Sequence, residues 1–243
     1  MPYIKPGYKA RLYPHIQEIA RWIVTKAETE TGGQDLAWAL LRYAGLNILG
    51  SCELQINLLA ENHIRLCYWM IAVTDGVIMN VKRELKRRKC PQKPDSNLES
   101  GFKTLYSRVK GKELGETKYG QTEEPNATES EKPARNLVEG LGGHIENLVE
   151  EIMTIVREKP DEKTFMGLCN YSLTTLGPLV VMDVYGKDFN LEWLQILVLF
   201  WEEVAENFYK ETAAPYEDIQ IELNGNCEVF ALIDERLKAA TTE

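Results

Sequence analysis

The stretches HIQEIARWIV at 15–24 and LAWALLRYAGLNI at 36–48 decide the fold class. In the first, Ile16, Ile19, Ala20, Ile23 and Val24 recur at steps of one, three and four residues; in the second, Leu36, Leu40, Tyr43, Ala44 and Ile48 do the same. That spacing gathers apolar side chains on one stripe of an α-helix, and no sustained alternation of period two competes with it along the chain. The reading is all-α, with helices expected at 10–28, 34–49, 53–88, 137–158, 164–184, 189–212 and 228–239. At about 1.5 Å per residue the third would reach roughly 50 Å, and Gly76 is where a kink or break is expected.

Outward from these helices the character changes once. Between Cys90 and Arg135 the sequence turns to Pro, Ser, Glu, Lys and Gly, punctuated by Pro91, Pro94, Pro125 and Pro133. This divides the chain into a first helical unit (1–90), a polar linker or insertion (91–135) and a second helical unit with a C-terminal tail (136–243). Within the linker, Phe102, Leu105, Tyr106 and Val109 form a short amphipathic piece able to dock as a helix, whereas 111–134 is polar enough to stay disordered.

The two units are electrically opposite. The whole chain carries 28 basic and 37 acidic residues, a formal net charge of -9. Residues 1–93 hold 14 basic and 8 acidic residues (+6), while 136–243 hold 7 and 21 (-14). Much of the positive charge sits in Lys82, Arg83, Lys86, Arg87, Arg88, Lys89 and Lys93, opposed only by Glu84. Cations at a helix C-terminus complement its dipole. Without stacking aromatics or a recognised motif the cluster does not favour nucleic acid, and docking of basic on acidic surface, within or between chains, is the remaining use.

With 243 residues and 44% hydrophobic content the chain has enough apolar surface for a core. No secretory leader and no stretch of eighteen apolar residues is evident, so neither export nor membrane spanning is expected. Five cysteines, Cys52, Cys67, Cys90, Cys169 and Cys227, form no CxxC pair, which fits buried thiols in the reducing cytoplasm.

Sliding the chain against itself suggests a duplication. At an offset of 133, Trp38 falls on Tyr171, Leu40 on Leu173, Asn57-Leu58 on Asn190-Leu191, Leu66 on Leu199, Tyr68 on Trp201 and Ala72 on Ala205. The preceding helices match at 129, where His15-Ile16 falls on His144-Ile145. The expected architecture is two related three-helix units packed as an intrachain pseudo-dimer, each too small to bury its apolar face alone.

Met1-Pro2-Tyr3-Ile4, the segment Asn170 to Leu176, and Glu206-Asn207-Phe208-Tyr209 followed by Ala214-Pro215-Tyr216-Glu217-Asp218 and Asn224-Gly225-Asn226 resemble a short phage and bacterial family of uncharacterised proteins with an MPYI head and a PYED…NG tail. The resemblance implies a helical protein and supplies no activity. Members are roughly half this length, which suits a duplicated version. The chain departs from the pattern at Lys210-Glu211 and Thr175, where arginines are usual, and at Asn226-Cys227, where Asp-Val is usual; Arg42 occupies the helix-arginine position of the first unit. Arg42, Tyr216, Glu217, Asp218 and Asn224 are therefore the candidate ligand-binding residues. The tail from Pro215 to Gly225 is expected as an irregular segment clamped on the helices, with Tyr216 buried and Asn224-Gly225 turning.

Catalytic chemistry finds little footing. Glu202, Glu203 and Glu206 share a helix face with ExxE spacing, which can hold Mg²⁺ when a second helix brings more carboxylates, Glu146 with Glu150 or Glu158 with Asp161 being the partners at hand. A solvated acidic face is the plainer reading. His15, His63 and His144 lack i,i+4 ligand partners, and His15 and His144 are expected near helix starts, in helix-end hydrogen bonds. Gly140-Leu141-Gly142-Gly143 reads as a flexible junction more readily than as an anion nest. Trp22, Trp38, Trp69, Trp193 and Trp201 read as packing residues, with an aromatic-lined pocket between the units as the alternative.

The expected function is a non-enzymatic helical interaction or structural protein, phage-related by its resemblance, cytoplasmic and without a cofactor. Its expected partner is another protein, with a nucleotide as a further ligand, no membrane, and a homo-oligomer left open. The alternative is a Mg²⁺-dependent all-α nucleoside triphosphate pyrophosphatase.

Overall fold

The computed structural model describes residues 4–57, 63–110, 132–159, 162–210 and 214–224. Eight α-helices follow in order among these residues: α1 Pro6–Thr29, α2 Gly33–Asn57, α3 His63–Arg87, α4 Ser96–Lys110, α5 Lys132–Glu158, α6 Glu162–Tyr185, α7 Leu191–Phe208 and α8 Ala214–Asn224. A 3-10 turn at Gly186–Asp188 links α6 to α7.

Local sequence explains the ends. Pro6 opens α1, where a missing N–H leaves no helical bond unmade. Pro14 lies on the exposed side of α1, so water can take the carbonyl it leaves without a donor. The turn into α2 needs Gly32 and Gly33, at φ 134° and 49°. Asn190 caps α7, its side chain accepting the Glu192 N–H at 2.8 Å. At the end of α3 the Cys90 N–H reaches the Leu85 carbonyl at 3.0 Å and Lys89 N–H the Lys86 carbonyl at 3.0 Å, closing a Schellman turn. Lys89 holds its left-handed position at φ 57°, the one non-glycine positive φ among the described residues, at a penalty of about 1–2 kcal/mol.

The helices stack as three antiparallel pairs in three layers. In one outer layer α1 lies against α5, with Glu18 near His144 and Trp22 against Gly140. In the middle α2 lies against α6, where Trp38 Nε1 donates to the Tyr185 hydroxyl at 2.9 Å. In the other outer layer α3 lies against α7, with Lys82 on Glu202 at 2.7 Å. Both outer pairs touch the middle pair; among the described residues no helix of one outer layer touches a helix of the other. The buried apolar side chains form one continuous cluster drawn from α1 through α7, with Trp201, Phe165 and Phe200 its largest wholly buried members.

Exchanging α1 with α5, α2 with α6 and α3 with α7 leaves unchanged which helices touch, although α6 packs more extensively on α1 and α3 than α2 does on α5 and α7. The contact of α1 with α6 has its counterpart in α5 with α2, and that of α3 with α6 in α7 with α2. Contacts within a unit follow the same exchange, α1 with α2 matching α5 with α6 and α2 with α3 matching α6 with α7. Helix α4 stands outside the scheme, lying across α2 and α7, and α8 touches no other element among the described residues.

Several sequence expectations change. The long helix expected at 53–88 is divided: α2 continues to Asn57, α3 begins at His63, and 58–62 lie outside the described residues. No break occurs at Gly76, because the missing side chain makes room for Asn170 of α6, whose Nδ2 would sit 2.5 Å from a β-carbon there. Gly140, Gly142 and Gly143 lie within α5 rather than in a junction before it; a β-carbon on Gly140 would meet the Trp22 ring at 2.9 Å. The amphipathic piece of the linker does form a helix, α4, burying Phe102, Tyr106 and Val109. The tail is helical rather than irregular, since Pro215 falls in the first turn of α8, where proline is tolerated. The expected disorder at 111–134 falls mostly, and the expected helix at 228–239 wholly, outside the described residues.

Two cations of α1 and α3 reach glutamates of α5 and α7. Arg11 of α1 grips Glu151 and, at 2.8 Å, Glu158 of α5, and Lys82 of α3 grips Glu202 of α7. These pairs are partly exposed, so they fix orientation more than they stabilise. Thr164–Asp188, around α6, is long and apolar enough to cross a membrane by composition; in this fold α6 is one of the two middle helices, with Leu168, Leu173, Leu176, Val180 and Val181 buried.

Candidate functional site

Where α4 lies over the N-terminal ends of α2 and α7 it leaves a cleft of about 520 Å³. Its aromatic wall is built by Tyr185, at the end of α6, and Trp193, in the first turn of α7. Their rings stack with centroids 3.5 Å apart and planes 17° from parallel. Tyr185 is fixed from behind by the Trp38 indole N–H, and Trp38 packs on Phe200 at 5.0 Å, so the wall is anchored in the core. Burial pushes the Tyr185 phenol above its ordinary pKa; the Trp38 hydrogen bond opposes the rise and the Asp35 carboxylate adds to it. The phenol therefore stays neutral at physiological pH.

Three helix N-termini meet here, each with a carboxylate. Asp35 lies in the first turn of α2 and Glu192 in that of α7, while Asp95 precedes α4 and caps it, Oδ1 accepting the Leu98 N–H at 2.8 Å. Phe102 and Leu98 of α4 supply apolar surface opposite the stack. The segment leading into α4 is held by Gln195, whose amide donates to the Pro91 carbonyl at 2.7 Å. The cleft offers aromatic surface and acceptor oxygens, an arrangement suited to holding a side chain or small ligand that brings apolar area and donors.

The residues predicted from sequence lie elsewhere and apart. Arg42 is half-buried on α2, where it supports the Tyr106 hydroxyl of α4, which also accepts from Asn207 Nδ2 at 2.7 Å. Burial raises the Tyr106 pKa, with Arg42 the first opposing influence. Arg42 thus helps to seat α4, and its Nε is buried without a partner among the described residues. Glu217 and Asp218 lie on α8, Glu217 bonded to the Tyr209 hydroxyl and Asp218 exposed; the side chains of Tyr216 and Asn224 fall outside the described residues. Because α8 contacts no other helix among the described residues, Arg42 and the tail residues do not form one site.

The acidic face of α7 is likewise taken up separately. Glu202 is held by Lys82 and Glu206 by Lys210 at 2.6 Å, and Glu203 is half-buried near Tyr106. Glu146, Glu150 and Glu158 sit on α5, which does not touch α7, so the two acidic faces do not converge. No three of His, Cys, Asp and Glu group as a metal site among the described residues. His15 and His144 lie within α1 and α5 rather than at their starts; His144 Nδ1 is 4.0 Å from Glu18, and His15 Nδ1 is buried without a partner among the described residues. Cys52 and Cys169 meet in the core, where burial and then the Cys52 thiol hold Cys169 protonated.

Sequence reading offers an aromatic pocket only as an alternative and does not place this cleft or its carboxylates. The sequence reads Trp193 as a packing residue with an aromatic-lined pocket as the alternative, and Asp35, Asp95 and Glu192 carry no motif beyond a capping position. The legible signal was Asp95, set three residues before Leu98 and four before Glu99 at the start of the amphipathic piece. Comparison of the chain with protein-family models, with curated proteins and with solved structures returns no match to any of them. The likeness to the short MPYI family rests on the quoted segments alone.

Proposed function

We propose that the protein is a non-enzymatic helical interaction protein, a structural or phage-related accessory component, organised as an intrachain pseudo-dimer of two duplicated three-helix units. The exchange of α1, α2 and α3 with α5, α6 and α7 supports the duplication, because an arbitrary six-helix packing has no reason to return both members of every exchanged pair. The observation that carries the binding role is the cleft of about 520 Å³ under α4, with its Tyr185–Trp193 wall. It is made by α4, which among the described residues is the one core-packed helix outside the paired scheme, so the insertion gives the pseudo-dimer an asymmetric binding place.

The test is capture of partners from the native host with the wild-type chain and with Trp193→Ala, alongside a thermal-shift screen of nucleotides. The reading expects a protein retained by the wild type and lost with Trp193→Ala while the variant remains helical and cooperatively folded. Identical capture by both chains would remove the cleft from the account. Release of pyrophosphate from a nucleoside triphosphate with Mg²⁺ would move the reading to the pyrophosphatase alternative.

A further inference from the structure

The basic end of α3 has more cations than its own fold uses. Lys82 is spent on Glu202, and Arg87 and Arg88 both hold Glu84. Arg83, Lys86, Lys89 and Lys93 are exposed and have no carboxylate partner among the described residues. A helix C-terminus is complemented by one or two cations in its last turn, so the dipole does not account for all of them. Lys89 also occupies the left-handed position that glycine fills at lower strain, which marks it as a cation kept against a local backbone preference.

A matching surface lies on the far side of the molecule. Glu146 and Glu150 sit one turn apart on the exposed face of α5, also without a cation partner among the described residues, and Glu18 of α1 extends that face beside His144. Helices α3 and α5 belong to opposite outer layers and make no contact. These two faces therefore cannot neutralise each other within one chain.

We propose that the α3 face of Arg83, Lys86 and Lys89 docks on the α5 face of Glu146 and Glu150 of a second copy of the chain. The occupant follows from charge: residues 1–93 carry +6 and 136–243 carry -14, and each ion pair that Arg11 and Lys82 make between units joins a first-unit cation to a second-unit glutamate. A second copy offers the same chemistry at the faces left over. Since donor and acceptor faces are different and lie on opposite layers, the contact is head-to-tail, and it propagates instead of closing as a twofold dimer. Being built from exposed pairs, it is sensitive to salt. This inference does not depend on the cleft, and Trp193→Ala leaves it untouched.

The test is sedimentation velocity of the full chain at about 0.01 M and about 1 M salt, where the screening length falls from roughly 30 Å to roughly 3 Å. The wild type should form species larger than a dimer at low salt, growing with concentration, and sediment as a monomer at high salt. Arg83→Gln/Lys86→Gln and Glu146→Gln/Glu150→Gln should each be monomeric at low salt. Mixed together they should give a one-to-one complex and nothing larger, because each retains one of the two faces. A wild type that is monomeric at low salt, or association that survives in either variant, or variants that fail to complement, would overturn the proposal. Binding of an oligonucleotide or of polyglutamate without self-association would overturn it too, by assigning the basic face to another polyanion.

Discussion

The indole of Trp201 fills the space where a β-carbon on Gly45 would lie, 2.8 Å from Cζ3. Gly177 receives the same ring from α6, where an added β-carbon would sit 3.0 Å from Nε1. Trp201 comes from α7, so one second-unit side chain is packed against the glycine faces of both middle helices, α2 and α6. Gly45→Ala should therefore destabilise by about 1–3 kcal/mol through overpacking. Gly143→Ala, in open space on α5, should instead stabilise by about 0.5–1 kcal/mol through the unfolded state. Urea unfolding of the two variants checks the opposite signs.

Tyr185→Phe should leave the Trp38 indole N–H buried without its acceptor, a loss of about 1–3 kcal/mol. The phenylalanine ring can keep its stack on Trp193, so partner binding at the cleft should persist in the folded variant. A fall in the unfolding midpoint with binding retained is the expected pair of readings.

Asn170 is the cross-brace between α3 and α6. Its Nδ2 donates to the Val73 carbonyl at 3.0 Å and its Oδ1 accepts from Asn80 Nδ2 at 2.8 Å, over the space left by Gly76. Asn170→Leu should destabilise by about 1–3 kcal/mol, since it leaves the Asn80 amide only its longer bond to Thr174 Oγ1 at 3.3 Å and presses a branched chain against α3. Thermal unfolding followed by circular dichroism measures it, with Asn170→Asp expected to retain part of the brace.

Stability should fall in alkali. Burial raises the phenol pKa of Tyr106 and Tyr185 in the folded chain above the unfolded value of about 10. Below that pH both states keep these phenols protonated and their contribution to stability is complete. As pH rises from there through the raised folded values, the unfolded chain loses protons first and the contribution is lost. Tyr106→Phe should flatten the decline of melting temperature above about pH 10.

The all-α class was legible because Ile16, Ile19, Ile23 and their equivalents are buried at helical spacing, a signal that tertiary packing reinforces. Gly76, the Gly140 cluster and Pro215 misled for a common reason. Each residue type breaks helices in isolation, but here the first two positions admit Asn170 and Trp22, and Pro215 sits in a first turn. The cleft was not legible because its residues meet only in the fold: Tyr185 and Trp193 sit on either side of a turn, and Phe102 and Asp95 arrive from the insertion. Arg42 was singled out by resemblance, whereas its position against Tyr106 follows from how α4 docks.

Reassembly of the two halves tests the pseudo-dimer most directly. Residues 1–110 and 132–243, produced separately, each carry one face of the shared core, so neither should unfold cooperatively as a monomer. Mixed in equal amounts they should associate one to one and recover the single cooperative unfolding transition of the intact chain, measured by calorimetry. Two halves that each fold as stable monomers with their own transitions, and that do not associate, would contradict it.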